Sequence, residues 1–370
     1  MTIRRTLLCA TLTLAACGTP HSQQVRNEAR DRYDRANAQV VYDQALQSFH
    51  AGQFEEALGH IDRAIMRFPK DGSYPLLRGR ILLEMKRVDL ARESFMKASE
   101  LAPQAAEPHY YLGIVLQRWN ELDQAATEYA KAAELAPSQL QYVAAECETL
   151  IAAGHLDEAQ VRLDEVRKTF EFSPVLDQVR ADLAGQCGDL EGRARWLDAA
   201  RLRTESAKAG ALAEEIALCR FEQGRWADCI RALDDEAIAD AQRRPDMVRM
   251  RARCLLMLDR AREARDLMIT LRDDVDADGR NAVIMGLAAM RIGDANRMAE
   301  AGRALTRCRP ERCDGWLLLG IVALDRGDRV EATRLLREAA IREPARELPR
   351  RLLAQVSADP TETGHAMAQP

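Results

Sequence analysis

The chain has 370 residues, of which 47% are hydrophobic, 30% charged and only 5% aromatic, and its formal net charge is −5. Near-balanced charge gives no basic field for nucleic acid, and a composition rich in Ala, Leu, Arg and Glu carries no sign of a β-domain. Arg249, Arg251 and Arg253 cluster, but Asp246 and Asp259 interleave with them, as on a solvated helix face.

Residues 1–17 form a separate device. Arg4 and Arg5 precede an apolar run at 6–16 that is shorter than the ~20 residues a membrane-spanning helix needs. The run ends in Leu14-Ala15-Ala16-Cys17, which resembles the lipobox of bacterial lipoproteins. The resemblance implies cleavage before Cys17 and acylation of that residue, which would tie the chain to a membrane. Gly18 follows the cysteine. In Gram-negative lipoproteins an aspartate there favours inner-membrane retention, so the resemblance implies the outer membrane, facing the periplasm. An ordinary secretory leader shares the basic start and the apolar run, and Ile3 and Leu7 fit a twin-arginine signal poorly.

Residues 18–38 read as a tether and a lead-in helix. The stretch at 18–24 is polar and without apolar periodicity, and from residue 25 the pattern turns charged and then amphipathic.

From residue 39 the chain keeps a beat. Turn-type residues fall at Gly52, Lys86, Asn120, Gly154, Gly188, Gly224, Asp259, Gly293 and Gly327, with steps of 34, 34, 34, 34, 36, 35, 34 and 34. Between them lie pairs of short helical patterns. The clearest is at 106–139, where His109, Leu112, Gly113 and Leu116 mark one helix. Leu122, Ala125, Tyr129 and Ala132 mark the next, and Pro137 ends it. Gly113 and Ala125 sit where two helices must approach closely. Gly79, Ala91, Phe95, Ala98 and Pro103 take the same places one period earlier; Ala45, Ala57, Ile61, Ala64 and Pro69 do so two periods earlier. Near the far end Trp316, Leu319, Gly320, Ala332, Leu336, Ala339 and Pro344 match again.

This pattern resembles the tetratricopeptide repeat, a 34-residue helix–turn–helix. The resemblance implies an all-α, right-handed superhelical solenoid of about nine repeats. It is close over 39–172, degenerate over 173–278 and clear again over 279–344. In the degenerate part Arg193, and later Met298, take the place of the second-helix alanine, and Cys229 does so once. Residues 345–356, with Leu348, Leu352, Leu353 and Val356, read as a capping helix, and 357–370 as a disordered tail.

Nine cysteines less Cys9 and Cys17 leave seven, an odd number. Cys308 and Cys313 bracket a hairpin junction, and the spacing fits either a bridge or two unrelated thiols. No Cys-x-x-Cys, His-Glu-x-x-His, Gly-x-Ser-x-Gly, phosphate loop or dinucleotide fingerprint occurs, so the sequence points to no metal, no cofactor, no small-molecule substrate and no enzyme. Glu55-Glu56 and Asp234-Asp235-Glu236 have the spacing of ordinary helix surfaces and turns.

In the tetratricopeptide family the first helices line an inner face that binds extended peptides or helices. Helical spacing assigns to that face Tyr42, Leu46 and Phe49, then Leu76, Arg80 and Leu83, then Tyr110, Ile114, Gln117 and Arg118. The Lys and Asn clamp with which some family members hold a C-terminal carboxylate is missing, since Arg80, Tyr110 and Ile114 occupy those positions. The expected function is therefore a non-enzymatic, lipid-anchored scaffold whose partners are other envelope proteins: pilus or secretin, outer-membrane or peptidoglycan machinery. The alternative is a structural subunit of an export or polysaccharide-secretion channel.

Overall fold

A computed structural model describes residues 20–205, 209–235, 238, 244–271 and 277–357. The leader at 1–17 with Cys17, and the expected tail from 358 onward, lie outside the described residues. No strand occurs among the described residues. The chain divides into two compact units, Met1–Phe170 and Glu171–Pro370.

The first unit holds α1 (Pro20–His50), α2 (Phe54–Arg67), α3 (Ser73–Glu84), α4 (Val88–Leu101), α5 (Ala106–Arg118), α6 (Leu122–Leu135), α7 (Leu140–Ala153) and α8 (Leu156–Glu165), with a 3₁₀ turn at Val166–Lys168. Consecutive helices pack as antiparallel hairpins, and first helices also touch the next first helix, α1 on α3 and α3 on α5. The helix α1 is continuous from Pro20, so residues 20–24 of the expected tether are helical, and the lead-in helix and first repeat helix are one. Residues 23–33 are exposed apart from the helix backbone. Side-chain pairs four residues apart, Gln24 with Glu28 and Arg30 with Asp34, support this polar turn of helix in place of core contacts.

The second unit holds α9 (Pro174–Gln186), α10 (Leu190–Arg203), α11 (Ala209–Glu222), α12 (Trp226–Leu233), α13 (Pro245–Met257), α14 (Ala261–Ile269), α15 (Arg280–Ile292), α16 (Ala295–Cys308), α17 (Asp314–Asp325), α18 (Arg329–Arg342) and α19 (Glu347–Ser357). The degenerate stretch thus keeps its helical hairpins, although α12 has shrunk to 8 residues against 14 in α10. The capping helix ends one residue beyond its expected limit. Its Leu352, Leu353 and Val356 pack on the last hairpin.

All nine turn residues have positive φ, from 59° at Lys86 to 85° at Gly154. The residue after each donates its backbone N–H to the carbonyl five residues back: Gln53 to Ser48, Arg87 to Leu82, Glu121 to Leu116, and so on to Asp328 to Ala323, at 2.8–2.9 Å. This is the six-to-one bond of the Schellman motif, which closes the end of a helix on a left-handed residue. Several turns then reuse the next side chain: Asp189, Asp294 and Asp328 accept the backbone N–H three residues on and start the second helix. One four-residue device therefore ends the first helix and launches the second, and its recurrence produces the beat.

Packing between the helices follows the small residues. Ala57, Ala91, Ala125 and Ala159 are fully buried at one position of successive second helices, and Cys229, Ala264, Met298 and Ala332 hold the corresponding place later. Only Arg193 breaks the column, and its Nε is buried without a hydrogen-bond partner among the described residues. Each hairpin of ~34 residues is too small to overcome its ordering entropy alone, so the stack of neighbours supplies the missing burial.

Candidate functional site

The exposed side of α1, α3 and α5 carries an aromatic row in the first unit. Arg80 is its centre. The guanidinium carbon lies 5.2 Å from the centroid of Phe49 and 5.7 Å from that of Tyr111. Arg80 has no ion pair among the described residues, so two ring faces hold a cation whose donors stay available. Phe49 is itself supported by Phe54, with centroids 6.0 Å apart, and Tyr111 stacks on Phe95 at 5.1 Å and an interplanar angle of 11°. The row is rigid because each ring is backed by another.

The other expected residues divide into three groups. Tyr42, Leu46, Leu76, Tyr110 and Ile114 are half-buried: one edge joins the hairpin cores and the other faces solvent. Tyr42 meets Tyr74 at 5.3 Å, and Tyr110 meets Tyr142 at 5.0 Å and Tyr129 at 5.7 Å. Burial pushes the phenols of Tyr42, Tyr110, Tyr129 and Tyr142 above their ordinary range, so these hydroxyls stay protonated and the row's charge is that of its arginines. Gln117 and Arg118 are exposed at the far end of α5, where Gln117 accepts the Tyr129 hydroxyl at 3.0 Å. Leu83 is the correction. It is 7% exposed and packs with Ala91, Phe95, Leu112 and Val115, so it belongs to the core. Leu83 lies seven residues after Leu76, almost two full turns, and the small remaining rotation carries it under α4.

Sequence reasoning missed Tyr111, Tyr74 and Tyr142. Tyr111 occupies the position next to an assigned groove residue, and only its contact with Arg80 brings it to the surface row. The signal available was the Tyr110-Tyr111 doublet itself, since two adjacent aromatics on a helix cannot both enter one core stripe.

Cys308 and Cys313 stand as separate thiols in this structure, and their sulfurs meet different neighbours. A Cβ on Gly279 would lie 2.7 Å from Cys308 Sγ, so that sulfur packs back on the start of its own hairpin, α15–α16. Cys313 is buried, and its Sγ receives Arg346 Nη1 at 3.1 Å from the following segment. The two side chains serve different layers.

A second concavity, in the second unit, was not expected. A cleft of about 860 Å³ is floored by Val283, Leu287, Met290 and Leu317 and edged by Arg309 and Leu348. Its acids are already engaged: Asp314 accepts Arg346 at 2.5 Å and Glu343 pairs with Arg312 at 3.0 Å. The arginines of α13 are likewise spent locally, Arg251 on Asp234 at 2.6 Å, Arg253 over Phe221 at 4.9 Å, and Arg249 on Asn281 at 3.1 Å. No group of three or more His, Cys, Asp and Glu capable of holding a metal ion occurs among the described residues.

Residues 76–104 match the tetratricopeptide repeat family. Among solved structures, the chain is similar to the type IV pilus biogenesis factor PilW (18% identity, 54% of this chain and 96% of that one, TM-score 0.45). It is also similar to YrrB, described as a tetratricopeptide repeat protein with an unusual peptide-binding site (18% identity, 50% and 93%, TM-score 0.40). A third is a tetratricopeptide repeat protein from Parabacteroides merdae (11% identity, 86% and 98%, TM-score 0.41). Among curated proteins, none matches. The matched segment covers most of α3 and all of α4, so this chain carries a tetratricopeptide repeat there, and the Schellman turn of that hairpin recurs in the eight other described hairpins.

Proposed function

We propose that the chain is a non-enzymatic scaffold that binds a segment of another envelope protein along the row from Tyr42 to Arg118, while acylation at Cys17 holds it on the outer membrane facing the periplasm. The observation that carries the docking site is Arg80 held between Phe49 and Tyr111. A guanidinium fixed by two rings, with no ion pair among the described residues, keeps its donors for a carboxylate or carbonyl of a ligand. The half-exposed Tyr42, Leu46, Leu76, Tyr110 and Ile114 around it offer apolar area at low entropic cost, and Arg and Tyr are the residue types that anchor interfaces. Arg118 lies at the other end of the row and sets register. The anchor reading rests on Leu14-Ala15-Ala16-Cys17 and Gly18. Anchoring would confine the scaffold to one surface and raise its effective concentration for partners there.

Two experiments separate the parts of this reading. Growth with a labelled fatty acid acylates wild type and leaves Cys17→Ala unlabelled if the anchor is real; an unlabelled wild type ends it. Crosslinking in cells followed by capture of the protein recovers an envelope partner that Arg80→Glu loses. Equal recovery by the variant removes the aromatic row from the binding surface.

A further inference from the structure

The cysteines outside residues 1–17 are not equivalent. Cys229 and Cys254 are both fully buried, in one cluster with Ala217, Leu233 and Met247. Cys229 lies on α12 and Cys254 on α13, helices of successive hairpins that pack against each other. Both side chains enter that one packed cluster, and each thiol perturbs the other. The remaining described cysteines have other surroundings. Cys147 is buried on α7 in the first unit, Cys219 Sγ faces the Leu190 carbonyl at 3.4 Å, Cys187 is exposed, and Cys308 and Cys313 serve separate layers.

We propose that Cys229 and Cys254 are a disulfide site, oxidised by a small-molecule or protein disulfide to cross-link α12 to α13. The exchange runs in two steps, and whichever thiol meets the oxidant first begins it as the thiolate. That thiolate attacks one sulfur of the oxidant RSSR, forming the mixed disulfide and releasing RS⁻. The second cysteine then gives its proton to that RS⁻ and attacks the first cysteine's sulfur, expelling the second RS⁻, which takes up the proton the first cysteine had lost. Two protein thiols and one RSSR become one protein disulfide and two RSH, with two electrons passed to the oxidant.

The position gives such a bridge a purpose. The α12 helix is only 8 residues long, the shortest α-helix among the described residues, and has the least surface to bury against its neighbours. A cross-link from it to α13 closes the chain across that hairpin junction and limits the unfolded ensemble where the stack is thinnest. Because both sulfurs are buried, exchange takes place while the hairpin is still forming or has opened locally.

The test follows from that. The purified full-length chain is reduced in denaturant, refolded in a glutathione redox buffer rich in the oxidised form, quenched by alkylation and digested. The expected product is a linked peptide pair, Cys229 to Cys254, lighter by two hydrogens than the reduced pair. The oxidised protein should melt about 5 °C or more above the reduced one, a rise that added reductant abolishes. Cys308→Ala keeps both signals, whereas Cys229→Ala and Cys254→Ala each lose them. Refolded protein with native helical circular dichroism in which both residues are alkylated, or in which either is joined to a different cysteine, overturns the proposal. The reagent supplies the oxidant, so the result does not depend on where the protein resides.

Discussion

Gly113 lies flat against the ring of Tyr129: a Cβ added at Gly113 would fall 2.5 Å from Tyr129 Cε1. One period earlier Gly79 and Phe95 repeat the arrangement at 2.4 Å. In both hairpins the aromatic ring of the second helix occupies the volume that any side chain on the first would need. Gly113→Leu should therefore overpack the crossing and cost ~1–3 kcal/mol. Gly320 is the internal control, since its nearest neighbours are the aliphatic Leu336 Cδ2 and Cγ, both at 2.9 Å, and no ring. There Gly320→Ala gains helix propensity of up to ~1 kcal/mol against a clash that Leu336 can relieve. Denaturant melts of the two variants should separate clearly, and a Gly113→Leu protein as stable as wild type would show that the ring can move aside.

This relationship was legible in the sequence, because it is local to one repeat and recurs at 34-residue spacing. The same holds for the nine turns, where a single left-handed residue meets a fixed backbone pattern. What the sequence concealed lies in contacts between repeats or within irregular ones. Tyr111 reaches the surface row only through Arg80 on another helix. Leu83 shares the spacing of a groove residue yet turns inward. Cys308 and Cys313 are neighbours along the chain and serve opposite layers, whereas Cys229 and Cys254 are 25 positions apart by number and adjacent in the core. Periodicity reports which face a residue occupies and says little about what stands opposite it.

Lys86, Asn120 and Asp259 hold turns with φ of 59°, 60° and 60° at positions where the other repeats place glycine. A side chain there costs roughly 1–2 kcal/mol, less for Asn and Asp than for Lys. Lys86→Gly should raise stability by ~0.5 kcal/mol, after subtraction of glycine's greater freedom in the unfolded chain. Gly154→Val, at φ 85°, should lower it by more than that. Paired melting curves read both, and a destabilised Lys86→Gly protein would mean that the lysine side chain makes a contact worth more than its strain.

Asp177 is 1% exposed in the first turn of α9, yet its sequence context is that of an ordinary surface acid. It accepts Arg180 at 3.4 Å and also Arg203. Those two guanidiniums lie over Trp196 and Phe172 respectively. Asp177→Ala removes the carboxylate that the buried Arg180 and the exposed Arg203 share, and should cost about 3 kcal/mol, nearly all of it from Arg180. Asp177→Asn keeps the shape and one acceptor and should lose less. Equal melting temperatures for wild type and Asp177→Ala would mean that the arginines relax into solvent without penalty.

His155 and Asp123 join one hairpin to the next, with Nε2 2.8 Å from Oδ1. That hydrogen bond raises the imidazole above its ordinary 6.5. A raised folded value means that the contact's stabilisation is complete below the unfolded pKa and fades as pH rises through the folded one. The imidazole resonances of His155 should titrate above those of an unfolded peptide, and Asp123→Asn should bring the midpoint back toward 6.5. An unmoved midpoint in that variant would assign the shift to Glu158, which also lies near, at 3.6 Å.

The docking row can be tested so that folding and binding are not confused. Tyr110 packs against Tyr111, Tyr129 and Tyr142, so Tyr110→Ala loses core contacts as well as surface and should cost roughly 2 kcal/mol. Arg118 is exposed and has no ion pair among the described residues, so Arg118→Glu should change stability by less than about 0.5 kcal/mol. If Arg118 fixes the register of a partner segment, its charge reversal should nevertheless lower recovery of that partner about tenfold or more, since a like charge now faces the ligand's acidic group. Tyr110→Ala/Ile114→Ala should lower recovery too, in a protein that still melts cooperatively. Recovery lost with Tyr110→Ala but intact with Arg118→Glu would place the contact on the apolar half of the row alone. Recovery intact in both would move the binding surface elsewhere, and the cleft floored by Leu287 and Met290 would then be the surface to mutate next.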